Sequence, residues 1–248
     1  PKIKYGSVTM IYNNIRFEIT TFRTEEAYLD YRKPSEVSFT SDLHLDLIRR
    51  DFTINTLCMN VDGEILDLLN SKCDIEKKVV KMVGDPSIRL KEDVLRILRA
   101  IRFATILGFD LDEELKDNIM KYGCLLKKLS YERKKEELDK IFSSKNIKHG
   151  LDLIDKLGLS EPLEINLQNV VTTSSNIGIW AQLGCLDKYK FNAHDYEFIK
   201  KINEAVKTDL TINDIYKYGL YLSSIAAEIK GIGRNKIAKL HASLQIRS

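Results

Sequence analysis

The chain has 248 residues, 44% hydrophobic and 30% charged, which is enough for one large or two to three small domains with real cores. No run approaches the roughly 18 to 20 apolar residues of a membrane span, and the first residues lack the apolar stretch of a secretory signal, so the composition points to a cytoplasmic protein with no membrane partner. Four scattered cysteines without C-x-x-C spacing signal neither a zinc site nor a disulfide framework and read as mostly packed, reduced thiols, while a net charge of +3 permits nucleic-acid binding without demanding it.

The alternation predicts a β-hairpin at the start: Val8, Met10 and Tyr12 point one way, Asn13-Asn14 offers a tight turn, and Ile15, Phe17 and Ile19 point to one face. Glu18 then projects from the other face with Arg16 and Thr20, either as a solvated carboxylate or as a ligand. Residues 25–39 are charged, include Pro34 and lack a clean period, which predicts a mobile loop. A short helix is expected over 51–57 with Asp51 as its cap, and Asp62-Gly63 predicts a second hairpin between residues 59–61 and 65–66. From about residue 85 the period is helical, over 92–107, 113–122, 131–142 and beyond. The fold class is α+β: a small sheet-bearing piece followed by an all-α region. Two strand pairs are too little sheet for a covered layer, so a segment ahead of Pro1 or a second chain is expected to complete it.

The segment 83–103, VGDPSIRLKEDVLRILRAIRF, holds the strongest local signal. On one helix, Val94, Ile97, Leu98 and Ile101 take one arc, and Asp93, Arg96, Arg99 and Arg102 spread over the opposite side. A solvated amphipathic face would also give this pattern. The choice of residue argues for function: in a lysine-rich chain every basic position of this face is arginine, whose planar fork binds phosphates and base edges bidentately. In Arg49-Arg50-Asp51-Phe52-Thr53-Ile54-Asn55, two arginines precede an expected helix start, a setting that suits a triphosphate, although a motif this short also arises by chance. His44, His149, His194 and His241 lack partners at ligand spacing. Trp180 reads as core, and Gly231-Ile232-Gly233 reads as a helix-capping turn because no strand precedes it.

In order, EITTFR, DYRKP, RRDFTIN, GDPSIRLKEDVLRILRAIRF and LSYERKKEELDKIF resemble the bacterial-type (class II) CCA-adding enzymes and their poly(A) polymerase relatives, over about residues 5–142. Residues 210–240 are more faintly similar to the body region of that family. The resemblance implies a partial nucleotidyltransferase sheet head over 1–78, a helical neck with a nucleotide-template helix over 79–142, and a helical, RNA-binding body and tail over 143–248. It implies addition of CMP and AMP, from CTP and ATP, to the acceptor end of tRNA. By match to the family motifs, Arg50 contacts the incoming nucleotide and Asp93 and Arg96 read the base edge. Arg99 and Arg102 are neighbouring nucleotide-binding arginines, Glu18 is a catalytic carboxylate, and Asn55, Glu92, Glu132 and Arg133 are supporting residues. The Asp-x-Asp pair that holds Mg2+ in the family would lie upstream of Tyr5, and Asp110-Leu111-Asp112 reads instead as a helix cap. Metal ligands are therefore expected from outside this chain, which reads as a fragment or as one half of a split enzyme. Alternatives are a poly(A) polymerase or A-adding enzyme of the same family, or a non-catalytic tRNA- or nucleotide-binding fragment. The loop carrying Asp30-Tyr31-Arg32 argues against an enzyme that stops after CC.

Overall fold

The computed structural model describes residues 6–29 and 33–245, with the backbone alone at 25–29, 33–37, 234, 244 and 245. The chain divides into two compact units, Pro1–Tyr122 and Gly123–Ser248.

The first unit opens with an antiparallel ribbon, β1 (Ser7–Tyr12) and β2 (Ile15–Thr20), in the register Val8↔Ile19, Met10↔Phe17 and Tyr12↔Ile15. Asn13 and Asn14, both at positive φ, supply the turn, as expected of the residue type that tolerates the left-handed region. The six apolar side chains named in that register share one face and are 40–63% exposed. A second ribbon follows, β3 (Arg23–Leu29) antiparallel to β4 (Lys33–Phe39), where the sequence predicted a mobile loop. Charges at neighbouring positions hide the alternation there, and Pro34 is tolerated because a two-stranded ribbon consists only of edges. Asp30-Tyr31-Arg32 lies outside the described residues.

Asp42 caps α1 (Leu43–Ile48) through His44 N at 2.8 Å. The helix expected over 51–57 is only a 3-10 turn, Thr53–Asn55, and Asp51 does not cap it. The second hairpin forms as anticipated from β5 (Cys58–Met59) and β6 (Ile65–Leu66). After α2 (Ser71–Glu76), β7 (Val79–Val80) pairs in parallel with β8 (Asp110–Leu111). Asp110-Leu111-Asp112 is thus not simply a cap: Asp110 N and Asp112 N donate to the Lys78 and Val80 carbonyls and stitch the strand in place.

The remaining helices of this unit are α3 (Pro86–Glu92), α4 (Leu95–Leu107) and α5 (Glu113–Tyr122). Asp85 caps α3 and Pro86 fits its first position, where no intrahelical N–H is needed. Gly108, at φ 67°, ends α4 in the left-handed conformation that lets its N–H reach back to the Thr105 carbonyl. Phe52, Val80, Leu90, Val94, Ile97, Leu98 and Ile101 are fully buried together, each contributing about 1.5–3 kcal/mol of burial free energy.

The second unit is helical: α6 (Tyr131–Phe142), α7 (Ile147–Lys156), α8 (Ser160–Leu163), α9 (Asn176–Gln182), α10 (Ala193–Ala205), α11 (Ile212–Ile229) and α12 (Arg234–Gln245). Trp180 is core, as expected. It packs edge-on against Phe142 and Phe191, and its Nε1 donates to Asp139 at 2.7 Å. The Gly231 turn does end α11, with Ile232 N donating to the Ala227 carbonyl at 2.8 Å. All four cysteines are free; Cys185 is buried and Cys58 half-buried, but Cys73 and Cys124 are exposed, so the expectation of packed thiols holds for only half of them. Among the described residues no helix is long and apolar enough to cross a membrane.

Candidate functional site

The helix expected to run unbroken over 92–107 is interrupted. Asp93 terminates α3 in an extended conformation, φ −139° and ψ 103°, and Oδ1 of its carboxylate accepts from Leu95 N at 3.1 Å at the start of α4. An aspartate that bonds the backbone two residues on competes with helix continuation, which is why the chain turns here. Asp93 therefore does not share a helix face with Arg96, Arg99 and Arg102. It sits at an elbow just ahead of them.

Nor do the three arginines form one open face. Arg96 is 5% exposed, and its Nη1 donates to Glu92 Oε2 at 2.9 Å and to the Arg89 carbonyl at 2.6 Å. Glu92 precedes Arg96 by four residues, a spacing that lets the pair close over one turn even though the helix breaks between them. Arg99 is half-buried and its Nε donates to Asp51 Oδ2 at 2.6 Å. The guanidinium of Arg102 lies over the Phe103 ring, 4.4 Å from its centre, and Phe103 meets Phe52 edge-on.

Asp51 shows how the two motifs meet. Its Oδ1 accepts from its neighbour Phe52 N at 2.9 Å and from Asn55 Nδ2 at 2.8 Å, while Oδ2 binds Arg99. Asn55 in turn offers its carbonyl to Arg50 Nη1 at 2.6 Å. Arg50, Asp51 and Asn55 are thereby tied to Arg99, and through Arg89, whose Nη2 reaches the Arg50 carbonyl, to Glu92, Asp93 and Arg96 in one continuous network.

Three members of this network received no individual role by match to the family motifs, although Arg49 belongs to the arginine pair singled out in the sequence. Asp46 is buried on α1, where Oδ1 binds Arg49 Nη2 at 2.5 Å and Oδ2 binds Arg50 Nη2 at 3.1 Å. Burial pushes its carboxyl up, but hydrogen bonds from Arg49, Arg50 and the Arg23 N–H outweigh this and hold it below the ordinary carboxylate value. Arg49 also donates from Nε to the Arg23 carbonyl at 3.1 Å. Arg89 donates to Glu92 and to the carbonyls of Arg49 and Arg50. The offsets could have revealed the first two, since Asp46 precedes Arg49 and Arg50 by three and four residues on a helical stretch. No sequence offset exposes the contact between Arg89 and residues 40 positions earlier.

Glu18 stands on the exposed ribbon with an ion pair to Arg16 at 3.0 Å. Glu132 and Arg133 lie at the start of α6 in the second unit; Glu132 faces Lys190 at 3.6 Å and Arg133 N donates to the capping Ser130 Oγ. Among the described residues no group of three or more His, Cys, Asp or Glu could hold a metal ion. The described residues therefore do not fit a magnesium centre.

Residues 1–81 match the family described as the poly A polymerase head domain, and residues 108–166 match the one described as the probable RNA and SrmB-binding site of polymerase A. The CCA-adding enzyme of Streptococcus gordonii is 34% identical in an alignment that covers 99% of this chain and 69% of that protein. The chain belongs to the CCA-adding enzyme family. The CCA-adding enzyme of Bacillus subtilis is 41% identical over 69% of this chain but only 44% of its own length, and that of Bacillus pumilus 42% identical over 64% of this chain and 40% of its own. The chain thus spans less than half of those two relatives. A crystal structure of the Bacillus stearothermophilus CCA-adding enzyme in complex with CTP superposes with a TM-score of 0.80 at 24% identity, covering 97% of this chain and 67% of that one. That likeness establishes that the CCA-adding fold, a nucleotidyltransferase head followed by helices, is the fold of this chain.

Proposed function

We propose that this protein is a tRNA nucleotidyltransferase that adds CMP and AMP to the 3′ end of tRNA, taking CTP and ATP as substrates. The observation that carries the proposal is the hydrogen-bonded network joining Arg49-Arg50-Asp51 to Glu92–Arg99, because it gathers arginine forks from two distant segments around one elbow. In this reading Asp93 accepts from the exocyclic amine that cytosine and adenine share, and Arg96 donates to the neighbouring ring acceptor. Arg50, Arg99 and Arg102 surround the nucleotide, with Asn55 and Glu92 in support. Glu18 is the carboxylate of β2 offered to the reacting centre. Residues 1–78 form the head, 79–142 the neck that includes Glu132 and Arg133, and 143–248 the RNA-binding body. The match of residues 108–166 to an RNA-binding family supports tRNA as partner.

The test is incubation of the full gene product with magnesium, labelled CTP or ATP, and tRNA lacking its terminal CCA. The expected result is two C and one A per tRNA. Repeated A addition to unrelated RNA would instead make it a poly(A) polymerase, and tRNA binding without incorporation would make it a binding protein. Asp93→Ala and Arg96→Ala are expected to lose discrimination against UTP and GTP by roughly one to two decades, the equivalent of about 1–3 kcal/mol for a lost polar pairing. Undiminished discrimination would remove them from base reading.

A further inference from the structure

We infer that Arg89 is a positioning residue that holds the nucleotide-contacting Arg50 in register with the base-reading pair Asp93 and Arg96, and so sets the enzyme's base discrimination; the inference rests on the function proposed above. Its guanidinium spans two segments 40 residues apart. Nη1 donates to Glu92 Oε2 at 2.8 Å, and Nη2 donates to the Arg49 carbonyl at 2.6 Å and to the Arg50 carbonyl at 3.0 Å. The backbone of the same residue holds the elbow from the other side, for its carbonyl accepts from Arg96 Nη1 at 2.6 Å and from Asp93 N at 3.3 Å. A single residue thus touches Arg50 directly, Arg96 and Asp93 through its carbonyl, and Arg96 a second time through the shared Glu92 oxygen.

The residue type matters. One side chain serves three acceptors, Glu92 from Nη1 and the two carbonyls from Nη2, which a forked, planar guanidinium can do at once, whereas a lysine ammonium on a flexible stem reaches one or two without fixing a plane. The side chain is 13% exposed and its Nε is buried with no hydrogen-bond partner. Such a buried donor is costly; the conformation that leaves it so is the one in which both Nη groups reach their acceptors. Glu92 receives two guanidinium groups on one oxygen, so the loss of the Arg89 side chain leaves Arg96 paired but removes the direct link from the elbow to the Arg49-Arg50 backbone, with the Arg99–Asp51 pair still joining the two segments.

A staple that only stabilises the fold would lower activity equally for every nucleotide. A positioning residue changes their ratio. The full gene product and Arg89→Lys are compared for kcat/KM with CTP, ATP, UTP and GTP on tRNA lacking CCA, for equilibrium binding of CTP against UTP, and for melting temperature. The expected result for Arg89→Lys is a preference for CTP over UTP reduced by about tenfold or more, the size of one lost charged hydrogen bond, with a folded protein and the larger share of the change in KM. Arg89→Ala should reduce the preference further; if it does not fold, Arg89→Lys decides alone. Equal losses for all four nucleotides, or an unchanged preference, would overturn the inference. If the unsubstituted protein transfers no nucleotide, the proposed function fails on that result, and the ratio of CTP to UTP affinity still judges Arg89: an unaltered ratio in Arg89→Lys would sink it.

Discussion

Asp46 is 2% exposed, and each of its carboxylate oxygens is taken by a different arginine. A charge buried this deeply is stabilising only while its partners remain, because removing either side strands the other. Asp46→Asn keeps the shape and removes the charge, and it is expected to cost about 2–4 kcal/mol near pH 7, a buried-pair value reduced for the partly exposed arginines. The pH dependence follows from the depressed carboxyl. Its contribution is fully present above the ordinary carboxylate value of 3.8 and is lost as pH falls through the lower folded value. The stability gap between parent and Asp46→Asn, measured by urea unfolding, should therefore be constant from pH 5 to 7 and should narrow below pH 4. A gap independent of pH would mean that the arginines do not depend on that charge. At this scale the sequence pointed to residues that the fold brings together, and was less informative about how they pair. Arg50, Asn55, Glu92, Arg96 and Arg99 do join one network, but the open arginine face drawn from a helical wheel does not form, because Arg96 is buried with its Nη1 held by Glu92 and the Arg89 carbonyl.

Elements differ in how plainly their boundaries are written. Gly108 at φ 67° is a stop that side chains rarely accept, so Gly108→Ala should destabilise the first unit by about 1–2 kcal/mol and lower its melting temperature by several degrees; no change would mean that α4 ends by another device. The hairpins at Asn13-Asn14 and Asp62-Gly63 and the helices α5 and α6 were legible for the same kind of reason, a turn residue or a cap beside a clean period. The break at Asp93 was not, because Leu90, Val94, Ile97, Leu98 and Ile101 keep helical spacing straight across it and all are buried. Apolar period reports which side faces the core, and a side-chain bond to the backbone can stop a helix without disturbing it. The β7 and β8 pair escaped notice because strands of two residues have no period at all.

For the molecule as a whole, the single tryptophan lies in the second unit, so its fluorescence reports on residues 123–248 while far-UV circular dichroism reports on both units. Arg99→Ala, which deletes the link to Asp51 in the first unit, is expected to shift the dichroism transition in denaturant to lower concentration while the fluorescence midpoint stays in place. Coincident shifts would show that the two units unfold as one. The ribbon of β1 and β2 bears on handling. Among the described residues, the strip formed by Val8, Met10, Tyr12, Ile15, Phe17 and Ile19 is exposed on a two-stranded ribbon, so copies are expected to adhere there at high concentration and high salt. The chain of residues 1–248 should bind hydrophobic dyes while fully folded, and Phe17→Lys should raise the concentration at which light scattering first reports clusters. The chain's solubility would then be set by one apolar ribbon, and its thermal stability by the buried cores of its two units.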